Sequence, residues 1–224
     1  MNATMVKLLV LKDWYFLRWP IFGYLAAGAL ALALLSTDSE GAFYAGSILL
    51  LTVLISAGIH VAMATVVQER TDQTLPFVMS LPVSPREYTI AKLLANVLIF
   101  LVPWLILLLG TLFLIVFLVD VPDGLIPFTV LLLTELFVGY VLILAVALIS
   151  ESQGWAIGAI VFANLFFQGF MYVVSHMPSI ADTIKGPVAV WSGPAVALLV
   201  SEIVVIVLLL GLTFYLQDRK TDFL

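Results

Sequence analysis

Six long apolar stretches run along the chain, at residues 19–35, 42–67, 93–119, 125–149, 155–177 and 195–216, each bounded by polar or turn-forming residues. A helix needs about 20 apolar residues to cross a hydrocarbon core of about 30 Å, so each stretch predicts one membrane span. The second, third and fifth exceed that minimum and are expected to tilt or to project beyond the lipid. The fourth and sixth each carry one acid, Glu135 and Glu202. Turn-rich breaks fall at residues 36–41, 120–124 and 150–154, and connections this short favour antiparallel neighbours. The predicted fold is an all-α membrane bundle of six transmembrane helices, with residues 1–224 forming a single domain.

Composition removes the soluble alternatives. Hydrophobic residues make up 63% of the chain and charged residues only 10%, against about 25% charged in a soluble domain. The net charge of −5 comes with no basic stripe or tail, so nucleic acid is not an expected partner. The absence of cysteine excludes a disulfide framework, a zinc knuckle and a thiol nucleophile.

Basic residues then set direction, because positive loops stay in the cytoplasm. Lys7, Lys12 and Arg18 precede the first span, Arg70, Arg86 and Lys92 lie between the second and third, and Arg219 and Lys220 follow the sixth. Lys185 alone falls on the opposite side, where Asp38, Glu40, Asp120, Asp123 and Asp182 also lie. Both termini are therefore expected in the cytoplasm. Ala-Leu-Ala near the end of the first apolar run resembles a signal-peptide cleavage site, but the long leader with Trp14, Tyr15, Phe16 and Trp19 reads as an interfacial belt instead. With Met5, Leu8 and Leu9 set against Lys7, Lys12 and Asp13, residues 4–18 are expected to form an N-terminal helix on the inner membrane surface.

The longest polar connection on the inner side is QERTDQTLPFVMSLPVSPREYTIAK, residues 68–92. Thr71 or Thr74 can cap a short helix whose early Pro76 needs no amide donor. Leu75, Phe77, Val78, Met79 and Leu81 make that helix apolar although it lies outside the membrane core, and Pro82 ends it. Ser84-Pro85-Arg86-Glu87 then reads as a capping box opening the third span, with proline at the first helical position. The third helix is long enough to protrude into the cytoplasm, to bend near Pro103, or both. The apolar loop helix needs cover: either the membrane surface and the bundle's own underside, or a groove on a cytoplasmic partner.

Glu69-Arg70-Thr71-Asp72, Thr74-Leu75, Ser80-Leu81-Pro82-Val83-Ser84, Glu87-Tyr88 and Lys92-Leu93-Leu94 together resemble the ABC-2 type permeases, the membrane subunits of ATP-binding-cassette transporters, mostly exporters. That family's pattern is approximately E-R-x-x-x-T-L-x-x-L-x-S-L-P-V-S-R-x-E-Y, followed by G-K-L-L. Pro76, Pro85 and Ala91 depart from it without breaking its frame. The resemblance implies a coupling helix at 71–80 that receives motion from a cytoplasmic ATPase, with Glu69, Arg70, Thr71, Thr74, Leu75, Phe77, Val78, Met79 and Ser80 at or beside it. A second, smaller contact at the 150–154 turn would include Glu151. Two membrane subunits, identical or homologous, would pair with two ATPase subunits in a bacterial-type plasma membrane. ATP and magnesium would sit on the partner, and this chain would bind no cofactor. The 178–194 connection would dip back into the outer leaflet as short helices.

Enzyme motifs are absent from the sequence: no Gly-x-x-x-x-Gly-Lys-Ser/Thr loop, no His-Glu-x-x-His and no Gly-x-Ser-x-Gly. His60 reads as a helix–helix hydrogen-bonding residue and His176 as interfacial. A carboxylate in hydrocarbon faces the bundle interior, pairs, or stays protonated. Glu135 and Glu202 therefore either line a substrate or proton path or are protonated acids bonded to Asn96, Asn164, Gln168 or a serine. Asn164 and Gln168, among the aromatics of the fifth span, are candidate pathway residues, and Gly154-x-x-x-Gly158 permits close helix approach. The alternative to an ATP-driven permease is a self-sufficient secondary transporter with Glu135 as proton carrier. No internal repeat between residues 1–119 and 120–224 supports it. An intramembrane enzyme would lack any recognisable nucleophile, base or metal set.

Overall fold

A computed structural model describes residues 3–71, 85–117, 121–150 and 152–219. Its helices are α1 (Ala3–Leu35), α2 (Glu40–Ala62) running into a π-helical turn (Met63–Val67), α3 (Gln68–Thr71), α4 (Pro85–Phe117), α5 (Leu125–Ser150), α6 (Gln153–His176), α7 (Pro178–Ala181) and α8 (Gly193–Asp218). Six of them are long and apolar enough to span a membrane. Helix is the form such a sequence must take, since lipid offers no partner to an open backbone amide or carbonyl. The six coincide with the six predicted stretches; α4 is described from Pro85 onward, and the predicted cap at Ser84 lies outside the described residues.

Two helices are much longer than the bilayer core. At 33 residues each, α1 and α4 measure about 50 Å at 1.5 Å per residue, so both project past the membrane at the end that carries the chain termini. The predicted N-terminal segment is helical, but it continues into the first span through Pro20 without a break. Its Val6 and Leu9 are buried with Tyr88 and Ala91 of α4, whereas Tyr15, Phe16 and Trp19 remain exposed. One side of this extension thus rests on protein, and the other presents aromatics where a membrane–water interface would lie.

The bundle has one central helix. α5 packs against α8, α6, α2 and α4, while α1 pairs with α2 and α4. It can occupy the centre because apolar residues dominate every side of it, with Leu131, Val141 and Leu144 wholly enclosed and Glu135 its one charged residue. By contrast, α6 and α8 turn many large side chains outward, among them Leu165, Phe166, Val207 and Leu208. Without a hydrophobic force between helices in lipid, close backbone approach and polar contacts hold such a bundle. At Gly46 a Cβ would lie 2.9 Å from the Ala31 carbonyl and 2.9 Å from the Leu35 amide nitrogen, so α1 and α2 meet nearly backbone to backbone. The predicted role of His60 holds: its Nδ1 lies 3.1 Å from the Tyr24 hydroxyl across the α1–α2 seam. The Trp104 indole donates to the Leu133 carbonyl at 2.6 Å, joining α4 to α5. Near the termini the Gln217 amide donates to the Leu148 carbonyl, joining α8 to α5.

The far face, opposite the termini, is closed differently. The connection between α6 and α8 is one turn of helix, α7, followed by turns, and Ser192 caps α8 by accepting from the Ala195 amide at 3.4 Å. This connection touches the start of α5: the Gly124 amide donates to the Gly186 carbonyl at 3.0 Å. A Cβ at Gly124 would fall 1.9 Å from the Thr183 carbonyl, a backbone atom that cannot swing away. Gly158, in contrast, has nothing within 4 Å of its Cβ position. Gly124→Ala is therefore expected to lose about 1–3 kcal/mol to overpacking, while Gly158→Ala is neutral or gains slightly because alanine favours helix. Thermal unfolding of the two variants in detergent checks the contrast.

Candidate functional site at the root of the 72–84 segment

Four elements converge where Thr71 and Pro85 flank residues 72–84: the extension of α1, the π-helical turn with α3, the first described turns of α4, and α5 behind them. Lys92, on the first turns of α4, is 2% exposed. Burying an ammonium costs several kcal/mol unless its charge and its three protons are met. Here all three are. Nζ donates to Asp13 Oδ2 at 2.8 Å, to Glu69 Oε2 at 2.8 Å and to the Thr65 carbonyl at 3.0 Å. The three acceptors come from α1, α3 and the π-helical turn, so one side chain fastens three elements to a fourth.

A second lysine completes the charge balance. Lys12 pairs with Glu69 and lies 3.4 Å from Asp13 Oδ1, giving two cations and two carboxylates among these four residues. The Tyr88 hydroxyl also donates to Glu69 Oε2 at 3.3 Å. Burial alone would push the Glu69 carboxyl up, but Lys92 and Lys12 beside it hold it below its ordinary value of 4.5. It therefore stays ionised.

Behind the ions lies a neutral layer. Thr65 Oγ1 sits 2.7 Å from both the Val61 carbonyl and Asn96 Oδ1, and its one proton serves one of them. Asn96, fully buried, donates to the Lys92 carbonyl at 2.9 Å, and its own carbonyl accepts from the Tyr140 hydroxyl at 2.8 Å. Tyr140 stacks on Phe100 with ring centres 4.1 Å apart. A continuous polar path thus leads from α3 to the central helix. The π-helical turn sits at its middle; such turns widen the helix and recur at functional sites.

Of the predicted coupling residues, Glu69 is a member of this cluster, Arg70 stands in α3, and the Thr71 hydroxyl donates to the Val67 carbonyl at 3.1 Å. Thr74, Leu75, Phe77, Val78, Met79, Ser80 and Glu151 lie outside the described residues. The sequence reading missed Asp13 and Lys12 as site residues and gave Lys92 only a place in the motif.

The intramembrane candidates divide. Glu135 and Asn164 line one small cavity of about 30 Å³ with Gly58, Ile59 and Tyr140, room for a single water. The expected hydrogen bonds to Glu135 do not form: Asn164 donates to the Ile160 carbonyl at 2.8 Å and Asn96 to the Lys92 carbonyl. Gln168 is on the exposed side of α6. Glu202 is 4% exposed, and neither carboxylate oxygen has a hydrogen-bond partner among the described residues. The reason is geometric: the polar contact of α8 with α5 is made near the termini, by Gln217, and the amides of α6 satisfy themselves on their own helix or face outward.

These features define a multi-pass, all-helical membrane protein with an ion-locked root beneath the connection between its second and third spans. Residues 31–192 match the family described as ABC-2 family transporter protein. The chain belongs to that family, whose members are the membrane subunits of ATP-binding-cassette transporters, the ATPase being a separate subunit. No curated protein and no solved structure matches it.

Lys92→Met should cost about 3–5 kcal/mol, because it leaves Asp13 and Glu69 charged beside an apolar chain. Asp13→Asn in the same background should recover part of the loss, and thermal unfolding in detergent measures both. The Glu69 carboxyl, depressed in the folded chain, contributes stability that is present above the unfolded value near 4.5 and is lost as pH falls through the lower folded value. Wild-type melting temperature should therefore drop across that acid window more steeply than that of Glu69→Gln.

Proposed function

We propose that this chain is the membrane half of an ATP-driven exporter, and that the 71–80 element receives the stroke of a cytoplasmic ABC ATPase. The observation that carries this reading is the ion cluster: the residues that enter the 72–84 segment are fastened by Lys92 to α1 and α4, and through Asn96 and Tyr140 to α5. A push on α3 has no compliant joint through which to dissipate. It moves a buried charge whose partners must follow, because separating them exposes an unpaired ion to low dielectric.

The remaining parts of the proposal follow the family. Two membrane subunits, identical or homologous, pair with two ATPases that hold ATP and magnesium, and Glu151 contributes a smaller second contact. The distribution of lysine and arginine supports cytoplasmic termini in a bacterial-type plasma membrane. Within this reading Phe77, Val78 and Met79 form the apolar face that an ATPase groove covers.

A second reading, proton-coupled transport without an ATPase, draws on Glu135 and Glu202, which are buried in the spans without a cationic partner among the described residues. Two experiments separate them. Affinity purification of the tagged chain from native membranes should recover an ABC ATPase, and Phe77→Asp or Met79→Asp in a folded chain should reduce recovery at least tenfold. Recovery unchanged by both substitutions overturns the assigned docking face. Uptake driven by a pH gradient in vesicles without ATP, abolished by Glu135→Gln, would instead establish the second reading.

A further inference from the structure

At the far face, opposite the ion cluster, the outer halves of α2, α4, α5 and α6 enclose a cavity of about 340 Å³. Its walls are almost wholly apolar: Phe43, Leu51, Ile115, Leu132 and Met171 contribute, with the hydroxyls of Ser47 and Thr129 as minor polar points. The Ser47 hydroxyl is already spent on the Phe43 carbonyl at 2.9 Å. Small-molecule sites run to about 300–1,000 Å³, and about 150 Å³ of apolar space already admits one benzene. This cavity is therefore large enough for an extended hydrocarbon segment and offers it few polar groups.

The cavity does not end blind. Phe43, Tyr44, Val121 and Leu125 line it and also line a second, wider space of about 660 Å³ at the far-face rim. That space adds charge to its apolar walls: Thr37, Asp38, Ser39, Glu40 and Lys185 line it. Tyr44, 66% exposed, stands where both spaces meet the outside surface. An apolar slot at membrane depth that opens into a charged vestibule at the interface matches one kind of molecule, an amphiphile with a chain and a head. The vestibule's charges sort the heads. Two carboxylates and one ammonium favour a head that carries both a phosphate, for Lys185, and an ammonium, for Asp38 or Glu40, and they disfavour a purely anionic head.

We infer that the slot and its vestibule form a binding site for a zwitterionic phospholipid, one acyl chain lying between Phe43, Leu51, Leu132 and Met171 and the head group at Asp38, Glu40 and Lys185. The site stands on the geometry of the far face and is independent of the ATPase partnership, so either can fail without the other.

The test uses the full chain in lipid nanodiscs without ATP, doped with phospholipids bearing a photoreactive diazirine near the end of one chain. Three heads are compared: phosphoethanolamine, phosphocholine and phosphoglycerol. The expected result is peptide labelling concentrated on residues 43–51 and 125–133, at least fivefold stronger for the two zwitterionic heads than for phosphoglycerol. Thr129→Trp, which fills the slot, should reduce that labelling at least fivefold. Leu208→Trp, on the exposed face of α8, should leave it unchanged, and Lys185→Glu should lower labelling by both zwitterionic lipids. Labelling spread as densely over α8 as over the slot overturns the site in the wild-type protein alone, whether or not the variants fold. Labelling retained in a folded Thr129→Trp protein overturns it too, and equal labelling by phosphoglycerol lipid overturns the head-group assignment.

Discussion

The buried ammonium of Lys92 sets the terms for the whole end of the bundle that carries the termini. An ion that has left water must recover the energy from fixed partners, and these partners come from three other elements. α1 must extend past the membrane so that Asp13 reaches the cluster. α2 must open into a π-helical turn, with the Thr65 carbonyl directed at Nζ, and α3 must continue far enough to deliver Glu69. The long first helix and the widened end of the second are thus arranged around the same three-acceptor requirement.

That arrangement makes the end of α3 and the first turns of α4 a tightly specified polar region. Hydrogen bonds in low dielectric reinforce one another, and the loss of one member leaves its neighbours unsatisfied. Asn96 and Tyr140 carry the same logic one layer deeper, where no ions are needed because the acceptors are backbone carbonyls. The central helix is therefore joined to the ion cluster through contacts that cannot lengthen cheaply. Under the proposed coupling, such a region lies where force would enter.

Most of the fold was legible in the sequence because lipid restricts the choices. Length and apolarity sufficed for the six spans, and isolated His60 indicated a helix–helix hydrogen bond, which Tyr24 supplies. The junction at Pro20 was not legible, since proline is tolerated in a membrane helix where neighbours satisfy the freed groups. Nor was the ion cluster. Asp13 and Lys92 stand 79 residues apart, and each reads alone as an ordinary interfacial charge. The usable signal was that Asp13, Glu69 and Lys92 all fall at the same end of adjacent spans, with opposite signs. The acids of α5 and α8 were visible as anomalies, but not that Glu202 would lack a hydrogen-bond partner among the described residues. Whether Asn164 turns toward Glu135 or back to its own helix is decided by rotamer and packing, which hydropathy does not encode.

The two ends of the bundle are held by different physics, and this difference has mechanical consequences. Ions and directed hydrogen bonds lock the end with the termini; these resist separation and shear. Backbone contacts at Gly124 close part of the far end, beside a slot whose described walls are mostly apolar side chains. Apolar surfaces in lipid slide at small cost, because contact with a neighbouring chain and contact with an acyl tail are nearly equivalent. Under the proposed coupling, displacement of α3 would therefore pass through the locked end with little distortion and be absorbed where the helices are free to slide. The far halves of α2, α4 and α5 are those places, and they are the walls of the slot. A lipid chain seated there would meet the bundle at its softest point, where the spacing between helices follows most directly from what lies between them.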